Sequence, residues 1–291
     1  MEAALGAWVE RGLTARPPAA GELAAIALDG KPLRGRRTQG APAVPLLSAL
    51  RHRVGRTLWP QAVADKPHAI PVLEDVVRGL VLEGRVITGA ARLTPRALAP
   101  HVGDAGGDDV RMVQGHQPHL PHAIRLVFQE PGARADTITT CPLVDHGHGR
   151  LEDRRLTTSP ALVGDSAWPG LAQVVHGERR VSVKKRGRQR AAVADGVPGL
   201  SPARAGPEGL LRLVRQHWPI DNKGHGGRDG TFDEDRSQVR CGSIPQVMAT
   251  FRNTAIGFRR QAGATKIAAA GRRCAAPPWS AFALLGIRPE K

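Results

Sequence analysis

Two aspartates, Asp29 and Asp221, stand beside apolar segments in a pattern that suits metal-dependent chemistry on phosphodiesters. Asp29 ends the apolar run LAAIALD in front of Gly30, and Asp221 lies in the stretch RQHWPIDN. Phosphodiester cleavage is assisted by two divalent ions about 3.5 to 4 Å apart, which stabilise the attacking and leaving oxygens. Mg²⁺ prefers hard oxygen ligands, so such a site needs carboxylates that converge from different elements. The two aspartates therefore indicate part of a metal-dependent nucleic-acid enzyme.

The acid that such an enzyme needs between these two is missing. The strand-like segment RVITGAA, residues 85–91, contains no carboxylate. The nearest acids along the chain are Glu83 and Asp104, and we expect neither to point into the same site. A divalent ion with too few ligands is lost before chemistry begins, so this gap predicts impaired catalysis.

Other polar residues have simpler interpretations. An aspartate before glycine is otherwise most often a turn residue. The acidic run Asp233–Asp235 could supply metal ligands, but we favour an acidic helix N-terminus. Four histidines lack the helical spacing of a metal site and are expected to be solvated or to face DNA. They are His146, His148, His217 and His225.

The charge balance of the chain points to a polyanionic partner. Lys and Arg number 42 against 26 Asp and Glu, which gives a formal net charge of +16. Basic residues that neutralise phosphates release counterions, so DNA is the expected partner, although arginine-rich solvated faces are the simpler alternative. The cluster between Arg179 and Arg190 contains no acid, which favours a phosphate surface over a merely exposed hairpin. The candidate DNA contacts are Lys31, Arg34, Arg179, Arg180, Lys184, Lys185, Arg186, Arg188, Arg190, Arg215, His217 and Arg236.

The cysteine content and the lack of long apolar stretches exclude several classes of protein. Three cysteines without C-x-x-C spacing encode neither a disulfide framework nor a zinc knuckle. No apolar stretch approaches membrane-spanning length and the N-terminus lacks a secretory signal, so we expect a cytoplasmic protein without a membrane partner. The chain has no tyrosine and only five phenylalanines, which predicts a core of marginal stability.

The order of the predicted elements is that of an RNase H-like sheet. Strands are predicted at residues 24–29, 44–50 and 57–63, which suggests an antiparallel meander. A helix over 70–82 and a strand over 85–91 follow. Further along, we predict a helix over 95–102, a strand over 110–114 and a helix over 119–129.

The sequence pattern changes near residue 131 and again near residue 207. Residues 131–206 consist of short β-like pieces and basic clusters, which we interpret as a β-rich insertion. Pro207 suits the first position of a helix whose apolar residues are Leu210, Leu211, Val214 and Trp218. A second amphipathic helix starts near Ser243, with apolar positions at Ile244, Val247, Phe251, Ala255 and Phe258. The predicted domains are a remnant of an N-terminal helical region (1–20), the first part of an RNase H-like core (21–130), the insertion (131–206) and C-terminal helices completing the core (207–291).

Many stretches of the chain, taken in order, resemble one known family. They are LDGKPLRG, KPHAIPVL, VITGAARLTPRAL, QGHQPHL, HGRLEDRRL, RQHWPIDN, RDGTFDEDRSQVR, QVMATFRNTAIGFRR and ALLGI. Together they resemble the H-repeat-associated family of bacterial insertion-sequence transposases, a branch of the DDE superfamily. The resemblance implies an RNase H-like α/β fold, a mixed sheet flanked by helices, and DNA cleavage and strand transfer with Mg²⁺ or Mn²⁺.

The resemblance also implies a carboxylate triad. The family's first aspartate falls on Asp29, its second falls on Ala90, and its glutamate falls on Asp221, which is one methylene shorter. We therefore expect a transposase copy with little or no strand-transfer activity. One alternative is a noncatalytic DNA-binding remnant that binds element ends or forms mixed oligomers with an intact transposase, and another is a chain that folds poorly. Homo-oligomers are left open, and the chain looks short at its N-terminus relative to the family.

Overall fold

A computed structural model of the protein describes residues 23–32, 45–51, 56–62, 69–89, 95–113, 119–130, 132–147, 149–166, 168–183, 188–217, 226–239, 244–275 and 277–284. The chain divides into two compact units, Met1–Leu80 with His217–Lys291, and Val81–Gln216. Helices flank a mixed sheet, and β-rich structure precedes the C-terminal helices. The prediction of an RNase H-like α/β fold is thereby confirmed. The predicted domain limits at residues 20, 130 and 206 stay predictions.

The first unit opens with the predicted antiparallel meander. Its strands are β1 (Ala24–Pro32), β2 (Pro45–Arg51) and β3 (Arg56–Ala62). β2 pairs with both of its neighbours in antiparallel register. Ile26 and Leu28 of β1 are buried, because this apolar run has no polar residue to turn toward water.

β1 does not stop at Gly30, where the sequence predicts its end. Gly30 pairs with Leu47 and Lys31 pairs with Leu46, so the ladder continues beyond the glycine. A single glycine weakens an extended strand without forbidding it, and the backbone pairing on β2 holds it in place. Asp29 therefore lies inside the strand, opposite Ser48.

Helix α1 (Ala69–Arg78) buries Leu73, Val76 and Val77 on one face. It ends at Arg78 and not at residue 82, the predicted end. Leu80 and Leu82 remain buried in the turn that follows. The pattern of buried apolar residues thus continues beyond the end of the helix. This is why the predicted helix extends further than the observed one.

The second unit begins with a parallel pair of strands connected through a helix. Val86 and Ile87 on the first strand, and Leu98 and Val102 on the helix, are buried. A parallel pair needs such a crossover connection, and its apolar face covers the strands. The elements are β4 (Arg85–Gly89), α2 (Leu98–Asp104), β5 (Asp108–Met112) and the following α3 (His119–Gln129).

The predicted β-rich insertion is an antiparallel meander. Its strands are β6 (Thr139–Gly147), β7 (Arg150–Ser159), β8 (Val174–Val183) and β9 (Arg188–Pro198). β9 also pairs antiparallel with β5, so the meander continues the sheet of the second unit. Among the described strands, β6 is the outermost of this sheet, and it carries Pro142 in its middle.

Helix α3 covers one part of the second unit's core. Ile124 and Val127 of α3 pack with Val174 and Val197 of the sheet. Helix α4 (Pro207–His217) follows, all but its last residue within the second unit, and it has Pro207 at its first position as predicted. Leu210, Leu211 and Leu213 form the buried side of α4.

The C-terminal helices belong to the first unit. They are α5 (Gly226–Phe232), α6 (Ile244–Gln261), α7 (Ile267–Ala275) and α8 (Pro278–Leu284). The predicted amphipathic helix α6 exists, and its predicted apolar face is buried only in part. Ile244 and Phe251 are exposed, whereas Ala249, Asn253 and Ile256 are buried. The face with smaller residues packs inward because small side chains allow close approach. Among the described helices, none is both long and apolar enough to cross a membrane.

Candidate functional site

Asp29 is the predicted catalytic acid that the structure describes. It is half-buried on β1 directly after the buried Leu28. Its Oδ1 accepts a hydrogen bond from the N–H of Gly30 at 2.8 Å. A backbone donor of this kind stabilises the charged carboxylate, which is the form that binds a metal ion.

The other triad positions lie outside the described residues. Ala90 follows the last residue of β4, and Asp221 comes shortly after the end of α4. Their arrangement with Asp29 therefore stays a prediction. The same holds for Arg34, for the segment 184–186, and for the side chains of Lys31 and Arg188.

Two acids that the sequence analysis did not consider lie on β5, beside β4. Asp108 pairs with Val86 and Asp109 with Ile87, toward the start of β4, whereas Ala90 would follow its far end. Arg204 binds Asp108 at 2.5 Å, and Arg111 binds Asp109. Both acids thus lie beside the start of β4 and are paired with arginines.

These observations bear on whether the chain can hold a pair of divalent ions. In the part of the chain that the structure describes, no group of three His, Cys, Asp or Glu side chains could hold a metal ion. The predicted middle ligand is Ala90, whose methyl group offers no oxygen, and the acids on β5 form ion pairs with arginines. The described residues do not fit a complete two-metal site.

Asp109 and Arg111 form a buried ion pair in the middle of the sheet. Both side chains are almost fully inaccessible, and Arg111 stacks on the ring of Trp168 at 5.5 Å. Asp109 Oδ1, two nitrogens of Arg111 and Trp168 Nε1 lack hydrogen-bond partners among the described residues. Burial raises the pKa of Asp109, and the nearby Arg111 opposes that shift. A buried pair left partly unsatisfied is expected to cost stability.

The acidic run Asp233–Asp235 has a role that neither interpretation of the sequence foresaw. Glu234 is buried between two arginines, with Arg228 Nε at 3.2 Å and Arg252 Nη1 at 3.3 Å. Burial lowers the pKa of Arg228, and Glu234 counteracts this. Asp233 adopts a left-handed conformation with φ of 49°. Glu234 therefore joins α5 to α6. The acidic run also begins a short 3-10 helix (Glu234–Arg236), as the favoured interpretation predicts, but Asp233 makes no capping hydrogen bond with its side chain.

The predicted basic cluster is divided between the two faces of β8. Arg179 and Arg180 are consecutive, so their side chains point to opposite faces. Arg179 lies beside Arg154 of β7 and donates to Glu152 Oε1 at 3.1 Å. Arg180 is exposed on the other face, opposite Asp153.

The face of Arg179 carries an alternating chain of charges. Arg154 contacts both Glu152 and Asp145, the second at 3.0 Å. Burial alone would raise the pKa of Glu152, but Arg179 and Arg154 hold it below its usual range. Asp145 Oδ2 also binds Arg215 of α4 at 2.5 Å. We call the side of β6–β8 that bears Asp145, Glu152, Arg154 and Arg179 the network face.

Two exposed arginines lie toward the hairpin tips on the same face. Arg190 pairs with Val181, the neighbour of Glu152, and Arg150 pairs with Val183 one row further out. Both are exposed. The connection between β8 and β9 adds Lys184, Lys185 and Arg186 in sequence. The hairpin tips are therefore basic, whereas Glu152 and Asp145 balance the arginines nearer the middle of the strands.

The remaining predicted contacts are Arg236 and His217. Arg236 is 85% exposed and lies 3.7 Å from Asp233, so it is an accessible surface cation. His217 is the last residue of α4. Of the DNA contacts predicted, Arg180, Arg190 and Arg236 are exposed, whereas Arg179 and Arg215 bind acids of the second unit.

A histidine that sequence analysis did not single out ties α3 to the sheet. His176 Nδ1 lies 2.7 Å from Oδ1 of the buried Asp195, whose other oxygen is 3.4 Å from Arg125. The ring also contacts Phe128 and faces Glu178 at 4.0 Å. The hydrogen bond to Asp195 raises the pKa of His176 despite its partial burial.

We predict that this pair makes stability depend on pH. Because the pKa of His176 is raised in the folded state, its contribution is complete below the unfolded value near 6.5 and is lost as pH rises through the folded value. The free energy of unfolding, measured by urea titration, should fall as the pH rises above about 6.5, by on the order of 1 kcal/mol. His176→Gln should remove that part of the pH dependence, and an unchanged profile would contradict the assignment.

The geometry can be set beside known proteins. No protein-family model matches the chain. The chain is 25% identical over 247 residues to "Putative transposase YncI" of Escherichia coli O157:H7, covering 81% of this chain and 61% of that protein. It is 24% identical over 241 residues to "H repeat-associated putative transposase YhhI" of Escherichia coli K12, covering 80% and 63%. It is 31% identical over 159 residues to "Uncharacterized protein in dhlA 3'region" of Xanthobacter autotrophicus, covering 53% and 54%.

The similarities agree with the order of motifs in the sequence. The match spans about three fifths of the length of the two transposase relatives and about four fifths of this chain. The mixed α/β architecture is the fold that the motif resemblance implies. The chain is thus similar, over about four fifths of its length, to bacterial proteins named as putative transposases, one of them H repeat-associated.

Proposed function

We propose that this chain is the RNase H-like core of a DDE transposase in which the middle carboxylate has been lost. The observation that carries the proposal is its similarity to the transposase relatives across four fifths of its length. Asp29, half-buried on β1, is the proposed first acid. Asp221 is the proposed third acid, with Ala90 between them in the sequence.

Impaired catalysis is part of this proposal. A complete triad binds Mg²⁺ or Mn²⁺, which stabilises the attacking and leaving oxygens of the phosphodiester. This chain offers Asp29 and Asp221 as ligands, and Ala90 contributes no oxygen. The engagement of Asp108 with Arg204 and of Asp109 with Arg111 argues against a substitute acid from β5.

DNA is the proposed partner, and the hairpin tips are its proposed contact surface. Arg150 and Arg190 are exposed there on one face. Further in, Arg179 is compensated by Glu152, and Arg180 lies opposite Asp153. Arg150 contributes the smallest of the attractions that lower the pKa of Glu152, and a cation with so little compensation attracts phosphate more strongly than one that already neutralises a carboxylate. The tips should therefore carry more of the binding energy than the middle of the sheet.

Binding measurements at several salt concentrations test this surface. We predict that Arg150→Ala with Arg190→Ala weakens binding to duplex DNA of any sequence. The slope of log K against log salt should become shallower by roughly one for each phosphate that the variant no longer neutralises. Fluorescence anisotropy with a labelled duplex gives both the affinity and the slope.

The matched control is Arg180→Ala, which removes one exposed arginine from the opposite face. It should leave the salt slope within error of the natural chain. If Arg180→Ala weakens binding as much as removal of the tip arginines does, the proposed surface is wrong. Circular dichroism of each variant shows whether the fold is kept.

A noncatalytic DNA-binding remnant is the second candidate function. The alanine at position 90, with both β5 acids bound to arginines, favours it over a fully active enzyme. Both candidates bind DNA, so binding alone does not separate them. Mn²⁺-dependent nicking of supercoiled plasmid by the natural chain, lost in Asp29→Ala, would identify an active enzyme. No nicking at any metal concentration would support the remnant.

A further inference from the structure

Two aromatic side chains on α8 are exposed side by side. Trp279 is 63% exposed, the largest fraction among the large hydrophobic side chains that the structure describes, and Phe282 is 39% exposed. They lie three residues apart, which places them on one face of a helix, and their ring centroids are 5.7 Å apart. The buried hydrophobic side chains of the described residues are all aliphatic. A chain poor in aromatic residues thus places two of them together in water, which is typical of a binding surface.

The C-terminal helices that carry this pair are rich in positive charge. Residues 244–284 contain six basic residues and no acid. Three of the six are exposed: Lys266 directly before α7, and Arg272 and Arg273 in its last turn. The end of the first unit therefore presents aromatic rings and cations together, without an acid from the same helices to compensate them.

The exposed arginines lie close to the aromatic pair along the chain. Trp279 follows Arg273 by six positions, so even a fully extended connection would separate their Cα atoms by at most about 21 Å. Helices α7 and α8 also contact each other. Binding sites for single strands commonly span about 4 to 16 nucleotides, so one strand can reach both groups.

We propose that α7 and α8 form a binding surface for single-stranded DNA, on which unpaired bases stack against Trp279 and Phe282 while Arg272 and Arg273 contact phosphates. Bases in a duplex are already stacked on their neighbours, whereas an unpaired base offers a free face to an aromatic ring. The choice of DNA as the polyanion rests on the proposed function. This surface belongs to the first unit, whereas the hairpin tips belong to the second.

A second copy of the chain is the competing occupant of this surface. In a symmetric dimer the same patch of both copies meets, so the cations of one copy would face those of the other. These cations are Lys266, Arg272 and Arg273. Like charges placed opposite each other repel, whereas a polyanion is attracted. The charge of the helices therefore favours a nucleic acid over a second copy.

Fluorescence anisotropy of the full chain with labelled oligothymidine, and with an abasic strand of the same length, tests the surface. The natural chain should bind oligothymidine about tenfold or more tighter, because the abasic strand keeps the phosphates and lacks the bases. Trp279→Ala should remove this preference and leave the binding of the abasic strand and of duplex DNA unchanged. Trp279→Phe should keep most of the preference, since it keeps an aromatic ring. Circular dichroism shows whether each variant keeps the fold.

The arginines should act differently from the rings. Arg272→Gln with Arg273→Gln should weaken oligothymidine and the abasic strand alike. The slope of log K against log salt should become shallower by roughly 0.7 for each phosphate that is no longer neutralised. Phe251→Ala serves as the control, because Phe251 is 55% exposed on α6, outside α7 and α8. It should leave the preference for oligothymidine intact.

Three results would overturn the inference. One is equal binding of oligothymidine and the abasic strand by the natural chain, and another is an equal loss of preference in Phe251→Ala. The third is a dimer that Trp279→Ala dissociates in sedimentation without any change in oligothymidine binding, which would assign the surface to a second copy. Duplex binding without a preference for bases contradicts this inference alone. A preference for bases that depends on Trp279, without duplex binding, contradicts the proposed hairpin-tip surface alone.

Discussion

Ala90→Asp should raise Mn²⁺-dependent nicking of supercoiled plasmid DNA by about 100-fold or more over the natural chain. The substitution restores a carboxylate to the middle position of the proposed triad. Metal assistance contributes several kcal/mol to such reactions, and each 1.4 kcal/mol is about tenfold in rate. Conversion of supercoiled to open-circular plasmid, followed over time on a gel, measures the effect.

Ala90→Asn is the matched control for this prediction. Asparagine has nearly the size of aspartate but lacks the charge that holds a divalent ion. It should leave nicking at the level of the natural chain, and Asp29→Ala should abolish whatever Ala90→Asp gains. Equal nicking by the natural chain and by Ala90→Asp would mean that another carboxylate has taken over. No nicking by either would place the damage beyond Ala90.

Asp109→Leu should destabilise the protein by about 3 to 5 kcal/mol. It leaves Arg111 buried and charged, since a guanidinium does not lose its proton in proteins. Arg111→Leu should cost less, because burial already raises the pKa of Asp109 and the carboxyl group can take up a proton. Urea unfolding followed by circular dichroism measures each change.

The double variant Asp109→Leu with Arg111→Leu separates charge from packing. It should be at least as stable as the natural chain, because apolar replacements remove both the ions and their unsatisfied atoms. Glu208→Ala breaks the exposed pair with Arg212 and should change stability by less than about 1 kcal/mol. If the double variant is as unstable as Asp109→Leu, the loss of stability comes from poorer side-chain packing and not from an unpaired buried charge.

Much of the fold could be predicted because apolar periodicity reports burial directly. The meander, helix α3 and the start of α4 at Pro207 follow from their patterns. Helix α6 shows the limit of this reasoning, because Phe251 is large and apolar yet exposed. Periodicity gives the existence of a helix, and its neighbours decide which side turns inward.

The candidate site was less predictable, since its interactions join residues far apart in the chain. Asp29 could be singled out from local sequence and resemblance. The pairing of Asp145 with Arg215, or of Glu234 with Arg252, leaves no local signal. Asp109 and Arg111 were overlooked because a charged residue on a short segment ordinarily indicates an exposed strand. Alternate charges on β7, in RLEDRR, were the available hint of a charged sheet face.

Pro142 has a consequence for how copies of the protein can meet. It lies in the middle of β6, the outermost described strand of its sheet, where a row of backbone donors would otherwise invite another strand. Proline has no N–H to offer, so it leaves a gap in that row. Strand-by-strand growth of copies into fibres is therefore discouraged at this edge of the sheet.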